Sequence, residues 1–471
     1  MTTHDIPILA EGSVSELDQA LRGRLVRPSD DDYDERRAIW NGAHDRYPSL
    51  IARCAGVADV IRALEFARSE ELPIAVRAGG HSIPGFSSVD GGMVIDLSPM
   101  QGIHVDPRRQ TARVQPGVTW ASLDHETQAF GLATTGGLVS STGVAGFTLG
   151  GGIGWLMRKH GLACDNLIAA DIVTADGRLV HATEHDNAEL FWGLRGGGGN
   201  FGIVTSLTFR LHPVGPTITG GAVFYPGDRA GDVLRAYREW TDGAPDELTT
   251  LVNLLTCPPA PFLPEEWHGR RLVAVVGMHT GPAEDAERAL RPLRSLGAPV
   301  ADLFGPMPYV AMQSLIDPLW GPGAHSYMKA GFLRGLDDQT IDTLVAEHAA
   351  VTSPKTEIHV QHLGGAVARV APHATAFGRR DAPFILNIVA STFTADGYDD
   401  AVDWAQGLYA ALAPALTGGA YVNFLSDEGP ERVRAAFDAA AYERLVALKD
   451  EYDPDNVFRL NQNVAPSQRG V

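Results

Sequence analysis

The chain has 471 residues, and its 57 acidic against 38 basic side chains leave a net charge of −19. That balance excludes nucleic acid and anionic membrane as main partners, since both recruit cations. With 44% hydrophobic and 20% charged residues the composition is that of a soluble globular protein, and the length exceeds one ordinary core, so two or three domains are expected. Cys54, Cys164 and Cys257 form no paired framework and read as free thiols of a reducing, cytoplasmic compartment. No basic-then-apolar leader is evident at the N-terminus.

Ser13 to Leu21 predicts a helix, with Ser13 as N-cap and Glu16 at capping-box spacing, and Leu25 to Trp40 reads as an irregular lead-in. A strand over Ser49 to Ala52, an amphipathic helix on Val57, Val60, Ile61, Leu64 and Ala67, and a strand over Leu72 to Val76 make a β-α-β unit. It breaks into Arg77-Ala78-Gly79-Gly80-His81-Ser82. Strands are expected at Met93 to Leu97 and Thr111 to Val114, with a hairpin turn at Asp106 to Arg109 between them. A helix should run from Pro116 to about Phe130. Gly136 to Gly154 follows, uncharged and rich in glycine and hydroxyls. Its stretch Leu138 to Met157 is long enough to span a membrane, but six glycines and four hydroxyl residues make it a buried loop and helix instead. Asn166 to Thr174, Leu179 to Ala182 and Ile203 to Leu211 read as strands, and Glu189 to Leu194 as a short helix.

From residue 214 to 415 long strands (Thr219–Tyr225, Leu251–Thr256, Arg271–His279, His325–Phe332, Glu357–Leu363, Phe384–Thr392) alternate with helices (Asp232–Thr241, Ala283–Leu296, Gln339–His348, Asp399–Leu412). This predicts a second domain, a mixed sheet with helices on one side. A strand at Tyr421 to Phe424 and one helix from Pro430 to Tyr452 close the chain, and no internal repeat is visible.

Two glycine-rich loops, the second without charge, suggest a cradle for one long, phosphate-bearing cofactor, since backbone N–H groups can converge on an anion where no Cβ intervenes. Gly197-Gly198-Gly199-Asn200-Phe201-Gly202 fits the G-x-G-x-x-G nucleotide fingerprint, but a helix precedes it and a strand follows, the reverse of what that motif needs. No His, Cys and carboxylate cluster has metal-ligand spacing, so no metal is expected.

Arg77 to Ser82, Gly143 to Gly146 with Gly150 to Gly154, Arg195 to Gly202, Tyr421-Val422-Asn423 and Tyr452 to Phe458 occur in that order. Together they resemble the berberine-bridge-enzyme-like branch of FAD-linked oxidases, in the vanillyl-alcohol oxidase superfamily, and most closely its bacterial 6-hydroxynicotine-oxidase type. The resemblance covers nearly the whole chain. It implies an α+β fold in which residues 1–213 and 416–471 build a two-part FAD-binding domain and residues 214–415 an inserted substrate domain. It also implies FAD bound covalently through His81. Bicovalent members carry a cysteine four residues before the position of Gly143, where this chain has Val139, so a cysteinyl link is not expected.

Cofactor contacts are expected from Arg77, Ala78, Gly79, Gly80, Ser82, Gly137, Ser141, Thr142, Gly143, Gly146, Thr148, Gly151, Gly152, Gly154, Ile203, Asn461 and Asn463. Tyr421 is the expected base or positioning group, with Asn423 beside it on one strand face. Tyr327, His359, Gln361 and Asn387 are the substrate-side candidates on the insert's sheet. The activity implied is removal of hydride from a C–H next to O or N of a small cyclic, aromatic or sugar-like substrate, with O2 as acceptor. A dehydrogenase using another acceptor and a non-catalytic ligand-binding protein are the rivals. Exposed edges of the insert's sheet could pair in a homodimer.

Overall fold

A computed structural model describes residues 9–467. The β-α-β unit forms as read: strands Leu50–Arg53 and Ile74–Arg77 flank helix Val57–Ser69. Val60, Ala63, Leu64 and Ala67 of that helix are wholly buried against the sheet. The strand Met93–Asp96 slots between the two, parallel to both, and Arg24–Val26 adds antiparallel on the outer edge. The Gly79-Gly80 turn therefore leaves the C-terminal end of a parallel strand, the end at which such sheets hold ligands.

The sequence pattern erred on several elements here. The lead-in is not irregular, because it holds Arg24–Val26 and a helix Tyr33–Arg37. The first helix starts at Glu11 with Ala10, not Ser13, before it, and no side chain caps it. The hairpin at Asp106 joins Thr111–Val114 to Ile103–Asp106, a strand too short to stand out, and not to Met93–Asp96. These two strands continue into a five-stranded antiparallel sheet with Ile203–Arg210, Leu167–Val173 and Leu179–Ala182. The helix Trp120–Gln128 is capped by Thr119, whose Oγ1 accepts from the Ser122 N–H at 3.4 Å. The expected helix from Pro430 to Tyr452 is two, Pro430–Ala435 and Ala439–Tyr452. Asp438 divides them by capping the second, accepting from the Ala441 N–H at 2.8 Å.

The third sheet has eight strands, ordered Ala301–Asp302, Thr217–Pro226, Arg271–His279, Leu248–Thr256, Glu357–His362, Phe384–Thr392 and His325–Leu333, with Gly305–Pro308 also on Thr217–Pro226. Every pairing in it is antiparallel, so strand direction is not mixed. The reason lies in the connections. Thr217–Pro226 crosses through helix Ala230–Thr241 to Leu248–Thr256, and Arg271–His279 returns between them. His325–Leu333 crosses through helix Asp338–Ala350 to Glu357–His362, and Phe384–Thr392 returns between those two. The sheet is thus a duplicated β-α-β-β-α unit, a repeat of topology with no echo in the sequence.

All four long helices lie on one face, where Val233, Leu234, Tyr237, Leu290, Ile341, Leu344, Ala405 and Leu408 share a core with Val252, Val275, Val360 and Leu386. The opposite face packs partly on Trp155, Leu156, Tyr309 and Met312. The outer edge of His325–Leu333 is not free. Ser426 donates its N–H to the Met328 carbonyl at 3.2 Å and accepts from the Met328 N–H through Oγ at 3.0 Å. No helix among the described residues is long and apolar enough to cross a membrane.

Candidate functional site

The two glycine segments meet where Gly79 and Gly143 touch. A Cβ on Gly79 would lie 2.5 Å from the Gly143 Cα and one on Gly143 would lie 2.6 Å from the Gly79 nitrogen, so each must be glycine for the other. The turn continues through Gly80, at φ 72°, into His81. The His81 ring stacks on Trp40 with centroids 5.0 Å apart, and its Nε2 lies 3.1 Å from Ser141 Oγ. Burial pulls the imidazole pKa down to about 4, only partly opposed by the Asp317 carboxylate. His81 is therefore neutral at physiological pH, with Nε2 engaged and Nδ1 free for chemistry.

Asp317, between the helix Tyr309–Gln313 and the strand His325–Leu333, fixes the other side of this junction. Its carboxylate accepts from the Ser140 N–H at 2.8 Å and from the Ser140 hydroxyl at 2.5 Å. Nearby, Gln313 donates to Asp124 Oδ2 at 2.9 Å, and full burial raises the Asp124 pKa to about 7.

The second glycine segment turns sharply at Gly151 and Gly152, φ 121° and 92°, and presents successive N–H groups to one oxygen. Tyr421 Oη accepts from Gly152 N–H at 3.0 Å, Ile153 N–H at 3.2 Å and Asn423 Nδ2 at 2.9 Å. Tyr421 is fully buried, and that burial pushes its pKa well above the usual phenol value despite the three donors. Asn423 also donates to the Phe147 carbonyl at 2.9 Å. The pair is not on a strand. Val422–Phe424 is one 3-10 turn, and it is this turn that curls the Asn423 amide back onto Tyr421.

Other expected residues divide. Arg77 turns away from the cradle to pair with buried Asp96 at 2.9 Å. Ser82 Oγ accepts from the Phe86 N–H, and Thr148 Oγ1 donates to the Val144 carbonyl inside its own helix. Ile203 is buried at the start of its strand in the core of the β-α-β sheet. Gly137 packs on the Phe147 ring, and the Thr142 carbonyl takes the Trp120 N–H. A Cβ at Gly146 or Gly199 would meet nothing within 4 Å, so the backbone there borders open space. A Cβ at Gly154 would strike the Gly136 carbonyl, which makes that glycine a packing requirement. The Oδ1 atoms of Asn461 and Asn463 are buried without a hydrogen-bond partner. Open backbone, uncharged glycine loops, orphaned amide oxygens and a neutral histidine together fit a large phosphate-bearing flavin.

On the eight-stranded sheet, Asn253, His359 and Asn387 form one cross-strand row, with Gln361 one pleat along, on the face away from the helices. Tyr327 is not with them. It belongs to the helix-side core, its hydroxyl 3.4 Å from Glu428 Oε1. The sequence reading missed Glu357, which hydrogen-bonds His359 at 2.8 Å, and the stack in which Trp320 lies 6.2 Å from Trp40. Only the alternation of the strand Glu357–His362 could have signalled Glu357.

Residues 48–183 match a family described as an FAD binding domain, and residues 420–465 one described as berberine and berberine like. An uncharacterized FAD-linked oxidoreductase of Bacillus subtilis is 32% identical over 96% of this chain and 98% of its own. The chain belongs to the berberine-bridge-enzyme-like FAD-linked oxidoreductases. (R)-6-hydroxynicotine oxidase of Paenarthrobacter nicotinovorans is likewise 32% identical, over 95% of this chain and 97% of its own. The crystal structure of 6-hydroxy-D-nicotine oxidase from Arthrobacter nicotinovorans superposes with a TM-score of 0.86 at 29% identity, covering 95% of this chain and 98% of that one. The protein is thus an FAD-dependent oxidoreductase, and FAD is the group its glycine cradle fits.

Proposed function

We infer that the protein is an oxidase that removes hydride from a C–H beside O or N of a small cyclic, aromatic or sugar-like substrate, with O2 as electron acceptor. In this reading FAD is attached through His81 alone, because Val139 offers no thiol. The part of the chain up to residue 213 and the part from 416 hold the cofactor, and residues 214–415 hold the substrate. The observation that carries it is the convergence, on one glycine segment, of a neutral histidine with a free Nδ1 and a tyrosine held by three donors.

FAD, when bound, supplies a two-electron acceptor for hydride. Ser141 Oγ holds the His81 ring through Nε2, and in the tautomer that carries Nε2–H the lone pair is on Nδ1. Gly79, Gly80, Gly143 and Gly146 supply backbone with no side chain in the way, and the Asn461 and Asn463 oxygens await donors. Tyr421 is a neutral phenol whose oxygen already accepts from these donors, so it positions rather than removing a proton. Asn423 holds its hydroxyl in place.

The test is acid precipitation of the purified protein, with the visible spectrum and intact mass of the pellet. A yellow pellet carrying the mass of one FAD, lost in His81→Ala, is the expected result. Colour in the supernatant would remove the covalent link, and flavin in neither fraction would overturn the reading. Oxygen consumption during turnover separates an oxidase from a dehydrogenase.

A further inference from the structure

His81 stands where four chain segments meet, and its surroundings suit a positive charge that the free ring does not carry. The Trp40 ring lies flat on the imidazole, with centroids 5.0 Å apart and planes 22° from parallel. Trp40 is buried and held on several sides. Its backbone N–H donates to the Gly80 carbonyl at 3.2 Å, its carbonyl accepts from the Gly323 N–H at 2.9 Å, and its indole N–H donates to the Trp320 carbonyl at 3.1 Å. Asn41, wholly buried, ties the same segment to the far end of the histidine turn. Its Nδ2 donates to the carbonyls of Ile83 and Ser326, each at 2.7 Å. The indole is thus held over the imidazole both by the turn that carries the imidazole and by residues 320–326.

Charge points the same way. The Asp317 carboxylate is the group that opposes the effect of burial on His81. Its own hydrogen bonds come from neutral donors, the Ser140 N–H and hydroxyl, which fix it in place without neutralising it. The next residue, Ser141, puts its Oγ 3.1 Å from His81 Nε2. A neutral imidazole gains little from a carboxylate, and from an indole face only ordinary stacking. An imidazolium gains from both, through Coulomb attraction and through the negative face of the ring. Burial keeps His81 neutral as a nucleophile, and the two supports serve the charge that appears when it reacts.

We propose that Trp40 and Asp317 are positioning residues for the covalent attachment of FAD, holding His81 in place and stabilising the positive charge that forms on it. The proposal rests on the proposed function, in which His81 is the attachment point, and adds the residues that make that histidine reactive. In the step, His81 Nδ1 forms a bond to a methyl carbon of the flavin ring, and one C–H bond of that methyl breaks. The C–H proton leaves to solvent. Its electron pair stays in the flavin, which then passes two electrons to O2. Once Nδ1 has bonded the ring is an imidazolium, and it returns to neutrality by losing the Nε2 proton beside Ser141, an exposed residue. In sum, C–H, N–H and O2 become C–N and hydrogen peroxide. The costly moment is the charged one, since a buried charge lacks the solvation of water, and there Trp40 and Asp317 act.

The test is reconstitution. The full chain is expressed under riboflavin limitation, FAD is added at several concentrations, and attachment is followed by intact mass and by the flavin absorbance of acid pellets. The limiting rate at saturating FAD reports bond formation, and the FAD concentration giving half that rate reports binding. Trp40→Leu and Asp317→Asn should each lower the limiting rate at least about tenfold, within what a desolvated cation–π contact supplies. The half-saturating concentration should move less than about threefold, which separates positioning from a merely structural role. Trp40→Phe keeps a ring face and should recover most of the rate. A limiting rate unchanged in Trp40→Leu or Asp317→Asn, FAD binding weakened in step with the rate, or a Trp40→Phe as slow as Trp40→Leu would each overturn the proposal. Growth on ring-fluorinated tryptophan weakens the negative face of all eight indoles without any substitution, so a misfolded variant does not shelter the idea. Attachment should then slow at least about twofold, and an unchanged rate would overturn the proposal as well. Unmodified protein that binds FAD but releases all of it into the acid supernatant would defeat the covalent reading, and this inference with it. Complete attachment at one rate in every variant would defeat this inference alone.

Discussion

Replacing Tyr421 by Phe removes a single oxygen, yet that oxygen is the acceptor for three N–H groups. Gly152 and Ile153 present backbone N–H groups that cannot turn elsewhere, because the turn through Gly151 and Gly152, both at positive φ, fixes the direction of the chain there. Asn423 Nδ2 keeps its second bond to the Phe147 carbonyl, so only one of its protons is orphaned. An orphaned buried donor costs about 1 kcal/mol at the low end, so the variant should lose ~3 kcal/mol. Tyr237→Phe is the control. Tyr237 is equally buried, but its hydroxyl meets only Thr250 Oγ1, at 2.8 Å, so its loss should cost about 1 kcal/mol. Urea unfolding followed by tryptophan fluorescence gives both differences on one scale. Equal losses in the two variants would refute the reasoning, since the three donors at Tyr421 would then be finding other partners at no cost.

Two further outcomes are expected. Lys449 and Asp453 are both wholly buried, and the ammonium spends its protons on Asp453 Oδ2 at 2.7 Å and on the carbonyls of Asn200 and Phe458, each at 3.0 Å. Lys449→Met should cost ~3–5 kcal/mol in the same unfolding assay, as breaking buried pairs does. Arg178→Met, in an exposed pair with Asp176, should leave the midpoint where it was, and a similar shift in both would contradict the burial argument. The second outcome concerns acid. His160 and His212 stack with ring centroids 3.9 Å apart, and burial foremost drops their pKa values to about 3 and about 4. Both values lie below that of an unfolded histidine, so the stabilisation is full above about pH 6.5 and drains away as pH falls from there towards 4. His160→Phe should flatten that part of the unfolding profile, and an unchanged slope would reject the assignment.

Much of the frame was legible because its signals are local. Val57, Val60, Ile61, Leu64 and Ala67 at helical spacing named a helix whose inner face is now seen buried. The fingerprint at Gly197 to Gly202 was rightly refused, since helix Ala188–Leu194 precedes it and strand Ile203–Arg210 follows. Errors came where a single residue outweighed the pattern. Asp438 cut one long helix in two by satisfying the N–H of Ala441, and hydrophobic periodicity does not register a cap inside an apolar run. The strand directions of the eight-stranded sheet were misjudged because alternation of strand and helix suggests parallel neighbours. Here each crossover skips a strand that later fills the gap.

The site divides along the same line. Its glycines were visible because backbone geometry needs them whatever lies nearby, and Gly79 against Gly143 shows two such needs meeting 64 positions apart in sequence. Glu357 was invisible for the opposite reason. On its own strand it is one more polar residue in an alternating run, and its meaning comes from Asn253, 104 residues earlier, and from Trp320 on another segment. Tyr327 failed in the complementary way. It sits on a strand of the same sheet as His359, and its residue type suited a binding role equally well. The pleat nonetheless turns it to the helix-covered side, where Glu428 takes its hydroxyl. A polar residue on a sheet becomes informative only once its face is known, and that face is decided by which side the helices cover.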